Sequence, residues 1–261
     1  MRWLWTMAAA AAPLFAQLPA PNDAGVTMGH IHMMVADPEV HKKLWVDLLG
    51  AEVTKTGTLE MWKIPGMFMV VGKARTPPAE GTTGSTVHHF GVVVPSYAAA
   101  KTKMAELGFK TVLDNPDNRQ IIVEFPDKIN VELTEDTSLK TKSAMHHIHL
   151  STPNEEKLRD WYVKVFGAKS GMRRNFYAAF IPGGELDTRK VDKVEAPTRG
   201  RSLDHIGFEV KDLEAFAKKL EAEGIKLEMP VRDVPSIGLK IAFLSDPEGT
   251  RIELTEGLSK H

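Results

Sequence analysis

The sequence contains no cysteine. It therefore needs no disulfide oxidation, and no thiolate is available as a metal ligand or nucleophile. An excess of charge is also missing: 33 basic residues stand against 34 acidic ones, for a net charge of -1. No basic run occurs, so neither a nucleic acid nor an anionic membrane has an electrostatic footprint here. The apolar run from Leu4 to Phe15 is too short to span a bilayer.

That run has a different meaning. Arg2 precedes it, and Leu14-Phe15-Ala16 offers a cleavage site before Gln17, although Leu14 is a less usual residue there than alanine. Residues 1–16 read as a signal peptide, with a cut near Ala20 as the variant reading. The expected location is periplasmic or secreted. The hydrophobic content of 43% over 261 residues allows a sizeable core and about two domains.

Histidine is concentrated in two strand-like stretches, Gly29-His30-Ile31-His32-Met33-Met34 and Met145-His146-His147-Ile148-His149-Leu150. Alternate side chains of a strand share a face, so His30 pairs with His32 and His147 with His149. The same alternation puts His146, and His88 before His89, on the opposite face, against helix or solvent. A lone strand histidine is usually an ordinary core or surface residue. One that recurs in the same pattern reads as a cavity wall carrying a metal ligand.

The recurrence extends along the chain. His147 follows His30 by 117 residues, Gly167 follows Gly50 by 117, His205 follows His89 by 116 and Glu253 follows Glu132 by 121. Two copies of one domain result, 28–135 and 145–256, joined by a polar segment from Glu135 to Lys142. Each copy divides again. A histidine strand, a helix stopped by glycine (Gly50, Gly108, Gly167, Gly224) and further strands occur four times. The fold class is α+β, four βαβββ modules in tandem.

This pattern resembles the vicinal oxygen chelate superfamily, which includes glyoxalase I, extradiol dioxygenases, fosfomycin-resistance enzymes and bleomycin-binding proteins. The resemblance rests on His147-Ile148-His149-Leu150 with Trp161–Gly167, on Asp204-His205-Ile206-Gly207-Phe208, and on Arg251-Ile252-Glu253-Leu254-Thr255. It implies that the modules pair into two glyoxalase-like cupped-sheet domains around a divalent metal (Fe, Mn, Ni or Zn). Carried over residue by residue, it offers His147, His205 and Glu253 from copy two, and His30, His89 and Glu132 from copy one. Two imidazoles and a carboxylate form a facial triad that leaves coordination positions open. Modules exchanged between copies would instead group His30 with His205 and Glu253.

His32 and His149, two residues beyond proposed ligands, are candidate catalytic proton shuttles. Glyoxalase I uses a further glutamate. Copy one has no carboxylate between Gly66 and Val71, whereas Glu185 or Asp187 could serve in copy two. The tyrosine of extradiol dioxygenases is replaced by Phe243 and Ile122. The resemblance thus implies an exported metal-dependent lyase, isomerase or dioxygenase acting on a small oxygen-chelating molecule. The alternative is a protein of the bleomycin-resistance type that sequesters a small ligand without turnover. No nucleic-acid or membrane partner is expected, and the chain should be a monomer with pseudo-dimeric domains or a homodimer.

Overall fold

The structure is a computed structural model that describes residues 18–261. The expected leader, residues 1–16, lies outside the described residues. No helix among those described is long and apolar enough to cross a membrane.

Among the described residues, sixteen strands form four modules. Module one holds β1 (Val26–Val35), α1 (Pro38–Lys42, continuing as a π-helix over Lys43–Leu48), β2 (Glu52–Thr56), β3 (Leu59–Ile64) and β4 (Met67–Lys73). Module two holds β5 (Val87–Val94), α2 (Tyr97–Glu106), β6 (Lys110–Asn115), β7 (Gln120–Phe125) and β8 (Ile129–Glu135). Module three holds β9 (Ala144–Thr152), α3 (Glu155–Phe166), β10 (Lys169–Arg173), β11 (Phe176–Ile181) and β12 (Gly184–Lys190). Module four holds β13 (Leu203–Val210), α4 (Leu213–Ala222), β14 (Met229–Val234), β15 (Leu239–Ser245) and β16 (Arg251–Glu256).

Helix boundaries follow from local chemistry. The side chain of Asn154 accepts from the Lys157 N–H (3.3 Å) to open α3, and Gly167 closes it at φ 66. Leu158, Tyr162, Val165 and Phe166 make its buried stripe. Asp212 and Ser96 cap α4 and α2 in the same way.

The sheets do not follow the sequence copies. The first has the order β14-β15-β16-β13-β1-β4-β3-β2 and the second β10-β11-β12-β9-β5-β8-β7-β6. Module one therefore pairs with module four, and module two with module three. Each seam is an antiparallel pair of opening strands, β1 with β13 and β5 with β9.

Helix packing knits the sheets together. Trp45, from a module of the first sheet, stacks 5.5 Å from Phe90 of the second. Phe166 lies reciprocally 4.5 Å from Phe208. One large core fills the space between the sheets, and a smaller apolar cluster (Met61, Phe68, Val70, Leu239, Phe243, Leu258) lines the first sheet's concave side.

Asp246 ties α3 to this core. Its carboxylate accepts from Thr250 N–H (2.8 Å), Glu248 N–H (3.0 Å) and Tyr162 O–H (2.9 Å). Burial nevertheless pushes its carboxyl up from 3.8 to about 6. Between those values the folded chain holds a proton the unfolded chain has lost, so this group's contribution falls as pH rises through the window. The ceiling is about 3 kcal/mol. Denaturant titrations of wild type and Asp246→Asn should show the difference in unfolding free energy declining from about pH 4 to about pH 6.5. A difference flat across that range would contradict the assignment.

Candidate metal centres

Two clusters of imidazole and carboxylate groups sit at equivalent places, one in each sheet. In the first sheet β1 lies antiparallel to β13, with His30 opposite Gly207 and His32 opposite His205. Strand β16 runs parallel on the other side of β13, with Glu253 opposite Gly207. His30 and Glu253 therefore flank one glycine, and nothing projects between them. His30 Nε2 lies 3.0 Å and His205 Nε2 2.9 Å from the same oxygen, Glu253 Oε2. His30, His32, His205 and Glu253 can bring one ligand atom each within 4.8 Å of one another.

The second sheet repeats this register. Gly91 is flanked by His147 and Glu132, and His89 faces His149. His147 Nε2 lies 3.3 Å from His89 Nε2, and Glu132 Oε2 lies 3.3 Å from His89 and 3.8 Å from His147. Strand β12, parallel to β9, places Glu185 opposite His147 and Asp187 opposite His149. The matching positions on β4 are Phe68, opposite His30, and Val70, opposite His32.

The sequence-predicted residues are thus brought together, but across the copies. His147 stands in the second sheet with His89 and Glu132, while His205 and Glu253 stand in the first with His30. The groups 147/205/253 and 30/89/132 are not formed, because the modules pair between copies.

His88 and His146 also depart from expectation. Both are the extra residue of a β-bulge in the β5–β9 pair, so strict alternation fails there. His146 Nδ1 lies 2.8 Å from His147 Nδ1, and His88 Nδ1 lies 2.8 Å from His89 Nδ1.

The two centres differ in their surroundings. In the first, His205 Nδ1–H donates to Asp204 Oδ1 (2.7 Å), which also accepts from Arg251 Nη1 (2.8 Å). Burial alone would lower His205, but the bonds to Asp204 and Glu253 outweigh it and raise the imidazole. Burial opposes ionisation of Glu253 too, yet His205 and His30 hold it well below the carboxylate range. His32, whose ring centroid is 4.5 Å from that of His205, is lowered to about 3 by burial and by His205 and His30. It is a neutral proton acceptor, not a group poised near neutral pH.

A cavity of about 160 Å³ opens beside His30, His32 and Glu253. Leu59, Met61, Val70, Ile237, Leu239 and Leu258 form its apolar wall.

In the second centre, burial lowers His89 to about 4 despite Glu132, and lowers His147 well below its usual range. Burial favours protonation of Glu132, but bonds from His89 and Thr134 hold it down at about 2. We favour neutral imidazoles facing an ionised Glu132, because both rings are fully enclosed. Burial and then Asp187 push Glu185 up to about 7, with Arg173 opposing. The Arg173 guanidinium reaches Asp187 and lies 3.1 Å from His149 Nε2.

Both donor sets fit a divalent cation. Two imidazole nitrogens and a carboxylate oxygen converge at each centre, and only a proton or a metal relieves their lone pairs. In the second centre Glu185 Oε2 and Asp187 Oδ1 are buried without a hydrogen-bond partner among the described residues.

Sequence reasoning missed Gly207, Gly91, Arg173 and the bulges. The glycines had a readable signal, since His-x-Gly occurs at both His205-Ile206-Gly207 and His89-Phe90-Gly91. A Cβ on Gly207 would lie 2.1 Å from His30 Cε1, and one on Gly91 2.2 Å from His147 Cε1.

Comparison with known proteins bears on the family and the fold. The family model for the Glyoxalase/Bleomycin resistance protein/Dioxygenase superfamily matches residues 144–254. A "probable trivalent organoarsenical cleaving enzyme" of Bacillus subtilis (strain 168) is 30% identical over 115 residues, 41% of this chain and 75% of that protein. The chain belongs to the glyoxalase/bleomycin resistance protein/dioxygenase superfamily. Within this superfamily, glyoxalase I from Zea mays superposes with a TM-score of 0.67 at 14% identity, covering 88% of this chain and 92% of that one. A mutant form of the same maize protein gives a TM-score of 0.68 at 14% identity, over 89% and 94% of the two chains. At that identity the likeness concerns the fold, two cupped eight-stranded sheets.

Proposed function

We propose that this superfamily member is a divalent-metal enzyme whose working centre is the first sheet's cup. The reading rests on one observation: His30 and His205 converge on Glu253, and His30 and Glu253 line a small apolar cavity. Three protein ligands leave positions for two neighbouring oxygens of a substrate. A metal held there by His30, His205 and Glu253 would supply Lewis-acid stabilisation of negative charge developing on the substrate.

The chain's own residues do the rest. Asp204 fixes the His205 tautomer, and Arg251 fixes Asp204. The apolar wall excludes water from the substrate's body and favours a small molecule with an apolar part. His32, held neutral beside His205, lines the cavity and can accept a hydrogen bond from the substrate.

The second sheet's centre adds Glu185 opposite His147 and has Arg173 against it. We assign it a more enclosed metal that His89, His147 and Glu132 would hold, with His149 in the same cluster.

The Bacillus subtilis relative favours small-molecule cleavage over sequestration. Its arsenical substrate is not carried over, because this chain has no cysteine to offer the thiolates that trivalent arsenic prefers. The chain reconstituted with Fe, Mn, Ni or Zn should be screened against 2-oxoaldehyde hemithioacetals and catechols. Metal-dependent turnover lost in Glu253→Ala supports the reading. Tight binding of such ligands without metal and without turnover would replace it with sequestration.

Export is part of the same proposal. Leu18 packs into the apolar cluster of the first cup, which favours a cut before Gln17 over one after Ala20. Mass spectrometry of protein recovered from the native host should find a chain starting at Gln17. Material that retains Met1 would end the proposal.

A further inference from the structure

A single β-bulge precedes each of the four candidate ligand histidines. In the β1–β13 pair the extra residues are Gly29, before His30, and Asp204, before His205. In the β5–β9 pair they are His88, before His89, and His146, before His147. A bulge re-aims its extra side chain, so Asp204, His88 and His146 reach the neighbouring ligand rings.

Asp204 shows what this position does. Its carboxylate accepts the Nδ1–H of His205 and leaves Nε2 bare toward Glu253. Gly29 offers nothing, and His30 Nδ1 is buried without a partner among the described residues.

We propose that His88 and His146 take the place of that aspartate in the second sheet. As positioning residues, their Nδ1 lone pairs accept Nδ1–H from His89 and His147 and so hold both ligand rings in the metal-binding tautomer.

Hydrogen-bond accounting at His146 sets the direction. A neutral imidazole has one donor and one acceptor nitrogen. His146 Nε2 faces Glu185 Oε1 at 3.5 Å, which is the place for its proton. Nδ1 is then the acceptor, 2.8 Å from His147 Nδ1. His147 must carry its proton on Nδ1, and its Nε2 lone pair points toward His89 and Glu132. The 2.8 Å contact between His88 Nδ1 and His89 Nδ1 repeats the arrangement. The opposite tautomers would put protons on the two Nε2 atoms that meet at 3.3 Å, and would close the centre to metal.

The inference rests on the reading that the second sheet holds a metal, and the test separates the two. In a Glu253→Ala background, which disables the first centre, Zn²⁺ affinity is measured by chelator competition. His88→Ala and His146→Ala are expected to weaken binding by about 10–100-fold, the usual effect of losing a partner behind a ligand. His88→Asp and His146→Asp should restore most of it, since Asp204 already fills that position in the other sheet. Long-range ¹H–¹⁵N spectra of the zinc form should show His89 and His147 protonated at Nδ1. Wild-type-like affinity in both alanine variants, equal weakness in the alanine and aspartate variants, or ligand rings protonated at Nε2 would overturn the inference alone. A Glu253→Ala chain that binds no zinc at all would overturn the metal reading beneath it.

Discussion

Gly207→Ala is expected to empty the first sheet's metal centre although residue 207 ligates nothing. The His30 ring lies flat over the glycine, and an added Cβ would come within 2.1 Å of Cε1, 2.2 Å of Nδ1 and 2.7 Å of Nε2. The whole ring has to move, and the neighbouring β-ladder gives it little room. Loss of a partner behind a ligand costs about 10–100-fold in metal affinity, and displacing the ligand itself should exceed about 10²-fold. Overpacking should also cost about 1–3 kcal/mol of stability, which leaves the fold testable by circular dichroism. Gly91→Ala should act in the same way on the second centre through His147. Each variant should spare the other sheet's metal. Full metal content in Gly207→Ala would mean that His30 is not a ligand.

The second large effect concerns partnership. His30 and His205 lie 175 residues apart in different copies, yet they share one carboxylate oxygen. His147 and His205 belong to one copy and stand in different sheets. Groups at one centre act as a unit, whereas distant groups act independently. His30→Ala plus His205→Ala should therefore lose one metal, no more than either change alone. His147→Ala plus His205→Ala should lose both. Metal content per chain by elemental analysis separates these outcomes. If the His147/His205 double variant kept one metal while the His30/His205 double variant kept none, pairing would instead run within each copy.

The repeat, the module boundaries and most strands were legible in the sequence because they rest on strong local signals. Glycine stops the helices, and short runs rich in β-branched and aromatic residues, such as Leu59–Ile64 or Gln120–Phe125, mark strands. Three strands were not legible. β6 and β14 are sheet edges with charged, exposed residues, and Pro230 interrupts the second of them. β12 carries Glu185 and Asp187 where a core strand would carry apolar residues, so it reads as a turn.

The site was legible as a set of residues and illegible as a grouping. All six predicted ligands are found in the two centres. Nothing local records that module one crosses to module four, because that choice is made by packing such as Trp45 on Phe90. The bulges were hidden for a related reason. Period-two alternation assumes an unbroken ladder, and a single inserted residue at 146 or 88 turns an outward histidine toward the ligand beside it.

The central claim is that a divalent metal is held between the copies. Anomalous diffraction from crystals grown with Mn²⁺ or Zn²⁺, collected at the metal's absorption edge, tests it most directly. The account predicts a peak about 2.0–2.2 Å from His30 Nε2, His205 Nε2 and a Glu253 oxygen, and a second among His89, His147 and Glu132. Crystals with no peak among these residues, or with a peak that has neither His30 nor Glu253 beside His205, would contradict it.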